Sequence, residues 1–380
     1  MYEQHIQEDL IYMMLYAAAA MMSLLACCYL LFRRANAIAP DVTSPVRLRR
    51  WTAVFFASMT LSHLWYLPIV FLTSREDIML CYLLGAMLDF MILIPSAIVL
   101  LLVMLQDRRR PLWPVCVIAA PPIIGLAIGL ATRSIARLPL LYLYYLLLGI
   151  GLLLYMMHEV RRYGRWLRNN YADLEHKEVW QSFIVLAVIV LVFGIYTLSL
   201  KGTPYHYVVQ LNDIVLVCYL LWRVETLSDL SISSPQDDLP EEADDSLASL
   251  TVATENEEEN AVSLSIRNIG SLLKQHCEEP QLYLQHDISV TQLAMQIGTN
   301  RVYLSQYFTN EGISYNTYIN GLRIQHFINR YHDLAKDHQA IITKHLAYES
   351  GFRSYSTFGV AFKQIMGMTA TEWMRDQSAR

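Results

Sequence analysis

Residues Thr291–Phe308 read TQLAMQIGTNRVYLSQYF. Ala294 and Gly298 stand four apart, Leu304 follows six after the glycine, and Phe308 four after that. A small residue lets one helix lie close to a second, and a glycine takes the left-handed turn between them. Leu304 and Phe308 then share one face of the second helix. The spacing predicts a helix-turn-helix. The pattern recurs at Ala347, Gly351, Phe358 and Phe362, displaced by 53, 53, 54 and 54 residues. A whole pattern that repeats with one added turn residue argues for two copies of one unit.

With the second stretch, ESGFRSYSTFGVAFKQIMGMTATEW over Glu349–Trp373, and with LSQYF followed by GISYNTYINGLRI, the region from Leu264 to Met374 resembles an AraC-type (AraC/XylS) DNA-binding domain. The resemblance implies two helix-turn-helix units joined by a linking helix, and a chain that reads promoter DNA. Two residues depart from the usual pattern. Ala370 stands where a proline is usual, and Phe327 where a small residue is usual in the linking helix.

Caps and faces locate the reading positions. Asn300 is placed to cap the second helix of the first unit, because its side chain can accept from free N–H groups. Arg301, Val302, Ser305 and Gln306 lie opposite Leu304 and Phe308. Gln306 has the chemistry for a bidentate contact to adenine, and Arg301 for phosphate or guanine. In the second unit Ser354 is the expected cap, and Arg353, Tyr355, Ser356, Gly359, Val360 and Lys363 face outward. The resemblance implies that Tyr355, Ser356 and Val360 approach bases. Val360 can offer only apolar contact to a thymine methyl, so the first unit is expected to carry more of the discrimination. Between the units, Tyr315–Tyr331 reads as a linking helix capped by Ser314, about 26 Å long.

The rest of the 380 residues differ in kind. Hydrophobic residues make up 54% of the chain and charged residues only 17%, and the apolar excess lies before about residue 224. Seven apolar runs there are long enough to cross a bilayer, which takes about 20 helical residues. They are Leu10–Phe32, Trp51–Thr73, Ile78–Leu105, Leu112–Ala131, Leu138–Met157, Gln181–Leu200 and Tyr205–Trp222. Alternate connecting segments carry thirteen and four Lys or Arg residues, respectively. The richer side is expected to be cytoplasmic. Seven crossings then leave the N-terminus outside and the DNA reader inside. His63, Asp89, Asn212 and Asp213 interrupt these runs. Ionisable groups at bilayer depth cost a few kcal/mol and face a bundle interior, so these four are candidate sensing positions. Interhelical hydrogen bonding is the simpler reading of each.

Residues 225–260 hold twelve acids and no Lys or Arg, the composition of a disordered connector. Its expected role is reach, about 35 Å or more. The net charge of −5 therefore misdescribes the reader, where eleven basic residues face nine acids over 261–380. Six cysteines form no CxxC pair. No P-loop, GxSxG or HExxH pattern is found, so neither an enzyme nor a metal or cofactor site is expected.

These readings predict an all-α protein: a seven-helix transmembrane bundle over 1–224, an acidic linker over 225–260, and a double helix-turn-helix domain over 261–380. The expected function is a membrane-anchored, sequence-specific transcription regulator of a bacterial inner membrane, multi-pass, with the bundle sensing a signal or tethering the reader. The expected partners are double-stranded promoter DNA, the lipid bilayer, a second copy of the chain, and an unidentified small-molecule or membrane signal. The alternative is a membrane receptor or transporter-like protein whose C-terminal helices bind a protein.

Overall fold

The computed structural model describes residues 2–33, 35–133, 138–185, 187–188, 203–230 and 268–378. All regular elements among them are helical, apart from one isolated bridge between Tyr171 and Ser289. The chain divides into two compact units. One holds residues 1–163 and 178–230, the other 164–177 and 231–380.

In the first unit, α1 covers Tyr2–Phe32, α2 Val46–Tyr66, α3 Arg75–Met104, α4 Trp113–Ala131, α5 Leu138–Asn170 and α6 Thr203–Thr226. Helix α5 continues past the first unit into the second. Among the described residues, five helical segments are long and apolar enough to span a bilayer: Leu10–Phe32, Val46–Phe71, Arg75–Met104, Trp113–Ala131 and Tyr207–Thr226. These match five of the seven expected runs. The fifth run forms the start of α5, and most of the sixth, Gln181–Leu200, lies outside the described residues. The count of seven is therefore not established. In four of the five segments only 28% of the most apolar window is buried.

Helix α3 is not regular throughout. Pro95 has no N–H to donate, and just before it the ladder shifts so that the Ile94 N–H reaches the Asp89 carbonyl. The result is a π turn over Asp89–Leu93, a local widening that re-aims side chains. Gly85, one turn earlier, leaves room for the Tyr66 ring, which any Cβ there would strike.

A polar knot ties one end of this unit. Glu225 is fully buried. Its carboxylate accepts from the backbone N–H groups of Ala37 (3.0 Å) and Ile38 (2.8 Å), and from the Tyr29 hydroxyl. Asn36 donates to the Val42 and Glu225 carbonyls and accepts from Arg49 at 2.8 Å. In a separate cluster, Glu159 accepts from Arg108 and Arg110, and Asp107 pairs with Arg110 at 2.8 Å. Several of the cations counted for orientation are thus committed to buried pairs.

The second unit has two cores. A helical stretch over 268–278 precedes α7 (Val290–Gln296) and α8 (Arg301–Asn310). The linking helix α9 covers Tyr315–Lys336. The second pair is α10 (Thr343–Glu349) and α11 (Tyr355–Met366), followed by α12 (Ala370–Ser378). Leu293, Ala294, Leu304, Phe308, Tyr315 and Ile319 fill the first core. Phe327, Ala347, Phe352, Phe358, Phe362 and Trp373 fill the second. The linking helix thus feeds one core from its first half and the other from its second.

Both departures noted in the sequence find a place. Phe327 is fully buried, with its ring 4.6 Å from that of Phe358 and 5.7 Å from that of Phe362. Ala370 opens α12, where a proline's missing N–H would also go unused. Thr369 and Glu372 cap that helix reciprocally, Thr369 Oγ1 accepting from the Glu372 N–H and Glu372 accepting from the Thr369 N–H at 2.8 Å.

Candidate nucleic-acid interface

Each reading helix begins at a side-chain cap. Asn300 accepts from the Tyr303 N–H at 2.9 Å, and Ser354 from the Thr357 N–H at 3.1 Å. Ser314 does the same for the linking helix, and Ser289 forms a capping box with Gln292 for α7. Each cap is worth about 1 kcal/mol. The turns use Gly298 at φ +76° and Gly351 at φ +87°. Gly298 has open space where a Cβ would go, whereas a Cβ on Gly351 would lie 2.8 Å from the Leu284 Cα and 3.1 Å from Arg323 Nε.

The caps align the two helices residue by residue. Arg301, Val302, Ser305 and Gln306 correspond to Tyr355, Ser356, Gly359 and Val360. Val302 and Val360 are each 68% exposed, far above any apolar core residue. Gln306, Tyr355, Ser356 and Lys363 are also exposed, while Arg301, Ser305 and Ser354 are half-buried and Asn300 is exposed beside its cap bond. Leu304, Phe308, Phe358 and Phe362 point the other way, into the cores. Arg353 differs from the rest of the expected set: its guanidinium pairs with Asp287 at 2.8 Å.

Three features of this unit carry no periodic signature. Arg323, on the linking helix, is 1% exposed. It donates to the Tyr283 carbonyl at 2.8 Å and the Gln285 carbonyl at 2.9 Å, and lies over the Phe352 ring at 5.6 Å. It joins the turn before the first unit to the turn of the second. Burial pushes its pKa down, with Asp173 opposing. Asp287, in a left-handed backbone conformation, collects Lys177 at 2.8 Å as well as Arg353. Burial alone would raise its carboxyl; the two cations outweigh that and hold it below the usual carboxylate range.

The third feature is the segment 171–177, which belongs to this unit. Ala172 is fully buried in the first core. Asn316 donates to the Ala172 carbonyl at 2.5 Å, and Tyr171 bridges Ser289. Glu175 accepts from Thr357 Oγ1 at 3.0 Å, within the first turn of the second reading helix.

In the other unit, the four polar residues singled out from the apolar runs line a single cavity of about 620 Å³. His63 Nδ1 donates to the Met59 carbonyl at 2.8 Å, while Nε2 faces Gln210 at 3.0 Å and Asp213 at 3.8 Å. Tyr66 donates to Asp89 at 2.9 Å. The Tyr16 ring packs edge-on to His63 at 4.8 Å, and Asn212 completes the polar wall.

Two capped helices with exposed faces, each behind a glycine turn and braced by one linking helix, define a tandem helix-turn-helix domain. Residues 281–376 match the family model described as a helix-turn-helix domain, of the AraC type. Comparisons with curated proteins and with solved structures give no match. The family match supports a DNA-binding regulator of transcription.

Proposed function

We propose that this chain is a membrane-anchored, sequence-specific transcription regulator, its apolar unit holding the reader at the inner face of a bacterial membrane and responding to a signal there. The domains follow the composition with one correction: Glu225, Leu227 and Leu230 are buried in the first unit, so the membrane unit runs to about residue 230, the acidic connector covers 231–260 rather than 225–260, and the reader covers 261–380 together with 164–177. The observation that carries the reading is the pairing of the two reading helices across α9. That helix has 22 residues, so it is about 33 Å long at ~1.5 Å per residue. One turn of B-DNA is about 34 Å, so the two ends of α9 suit successive major grooves on one face of a duplex.

In this reading Arg301, Gln306, Tyr355 and Ser356 address base edges or phosphates, with Val302 and Val360 in apolar contact. Asn300 and Ser354 hold the helix starts, and Arg353 and Lys363 serve the backbone. The reader's small positive surplus gives modest non-specific affinity, so base contacts matter more than charge. No covalent chemistry is required.

The test is duplex selection from a random-sequence library by the full chain held in lipid nanodiscs. The expected result is enrichment of one site, bound with a salt dependence whose slope falls by about one unit in Lys363→Ala. A chain that enriches no duplex would instead be read as a membrane receptor whose C-terminal helices bind a protein.

A further inference from the structure

The cavity between the helices of the apolar unit has a chemistry specific enough to name its ligand class, given the sensing role just proposed. Its ionisable lining groups are Asp89, Asp213 and His63, with no Lys or Arg among the lining residues. One histidine can neutralise at most one carboxylate. The second acid is left in an apolar bundle, where a lone charge costs a few kcal/mol. Asp89 accepts from Tyr66 at 2.9 Å and also interacts with Ser62 and Trp65, while its Oδ1 is buried with no hydrogen bond of ordinary geometry. The rings of Tyr12, Tyr16, Tyr66 and Tyr82 form the aromatic share of the wall. Carboxylates and ring faces together attract one kind of guest, a cation with an organic body. A cavity of about 620 Å³ falls in the range of small-molecule sites. We propose that this cavity binds a small organic ammonium ion, a primary amine with an aromatic or aliphatic body, its nitrogen between Asp89 and Asp213.

The test uses the full chain in nanodiscs. 2-Phenylethylamine and putrescine are titrated by calorimetry beside their neutral counterparts, 2-phenylethanol and 1,4-butanediol. The amines are expected to bind and the alcohols not. Asp213→Asn and Asp89→Asn should each weaken amine binding about tenfold or more, with unfolding temperatures no lower than the parent's. Equal binding of alcohol and amine, or no binding of either amine, overturns the assignment. Duplex affinity measured in the same samples separates this from the sensing role. Amine binding with unchanged duplex affinity ends the sensing role and leaves the site. Duplex affinity that shifts in Asp89→Asn without amine binding ends the site and leaves the sensing role.

A separate observation concerns the reader unit. Thr357 is the third residue of α11, in its first turn; its N–H is capped by Ser354 and its hydroxyl donates to Glu175. That is where a duplex phosphate or base edge approaches a recognition helix. Glu175 occupies it with a carboxylate, held there by Ala172, Asn316 and the Lys177–Asp287 pair. Two anions cannot share the position. We infer that residues 171–177 compete with DNA for the second reading helix, so that the docked strap lowers duplex affinity.

The full chain in nanodiscs, with the duplex it selects from a random library, provides the test. Glu175→Gln should bind about three- to tenfold more tightly, the range of a helix-terminus charge. Lys177→Met removes a cation, which on charge alone would weaken binding. Here it should tighten binding by loosening the strap. Unchanged or weaker binding in both variants overturns the inference. Tightening in Glu175→Gln alone also overturns it, because general charge then accounts for the effect.

Discussion

The two helix-turn-helix units share one plan and differ in what surrounds it. The first has an open turn at Gly298 and a polar reading edge ending in Gln306. The second has a crowded turn at Gly351, an apolar edge at Val360 and a carboxylate from Glu175 at its start. A repeated scaffold with unequal edges suggests a division of labour. On the function proposed above, the first unit would discriminate among bases, while the second would position the domain and be open to control.

The turns give the largest expected contrast. Gly298→Ala meets only the left-handed backbone penalty, about 1–2 kcal/mol. Gly351→Ala adds a collision with the Leu284 backbone and with buried Arg323, and should cost at least about 3 kcal/mol in all. Denaturant unfolding of the two variants checks this, and equal costs would remove the asymmetry between the turns.

The reading edges come next. Gln306→Ala should lose about 1–3 kcal/mol of discrimination at one base position. Val360→Ala should change specificity by under ~1 kcal/mol, since it offers only methyl contact. Selection profiles of both variants decide, and a larger effect at Val360 would reverse the assignment of roles.

The caps sharpen the comparison from the other side, because there the units should be alike. Asn300→Ala and Ser354→Ala should each cost about 1 kcal/mol by thermal unfolding. A difference well above that would mean one helix start is held by more than its cap.

The smallest effect is a pH dependence at Asp287. Its folded pKa lies below the ordinary value of about 3.9, because Lys177 and Arg353 outweigh burial. A depressed carboxyl stabilises fully above the unfolded value and loses that contribution as pH falls through the folded one. The stability difference between the parent and Asp287→Asn should therefore be flat down to about pH 4 and shrink below it. A difference that fades already near neutrality would contradict the ion-pair arrangement.

Much of the reader was legible in the sequence, and for local reasons. Caps at Asn300, Ser314 and Ser354 act on N–H groups three residues away, and the glycine turns and apolar faces follow from spacing alone. The linking helix runs to Lys336, five residues past the expected end at Tyr331, because Tyr331 still packs into the second core and no breaker follows it. Arg323, Asp287 and the strap were not legible. Their partners lie tens to more than a hundred residues away in sequence, and a buried arginine on a helix looks like any exposed one until the fold closes. In the apolar unit, polar residues in apolar runs were a usable signal, since His63, Asp89, Asn212 and Asp213 do meet around one cavity. Gln210 and the tyrosines that complete it were not distinguishable from packing residues.

The central claim is that one chain reads two successive grooves from a single linking helix. Hydroxyl-radical footprinting of the full chain in nanodiscs on its selected duplex tests it most directly. Two protected patches on one face, about 10 base pairs apart, are expected, with Gln306→Ala weakening only one of them. A single patch, or two patches on opposite faces of the duplex, would contradict it.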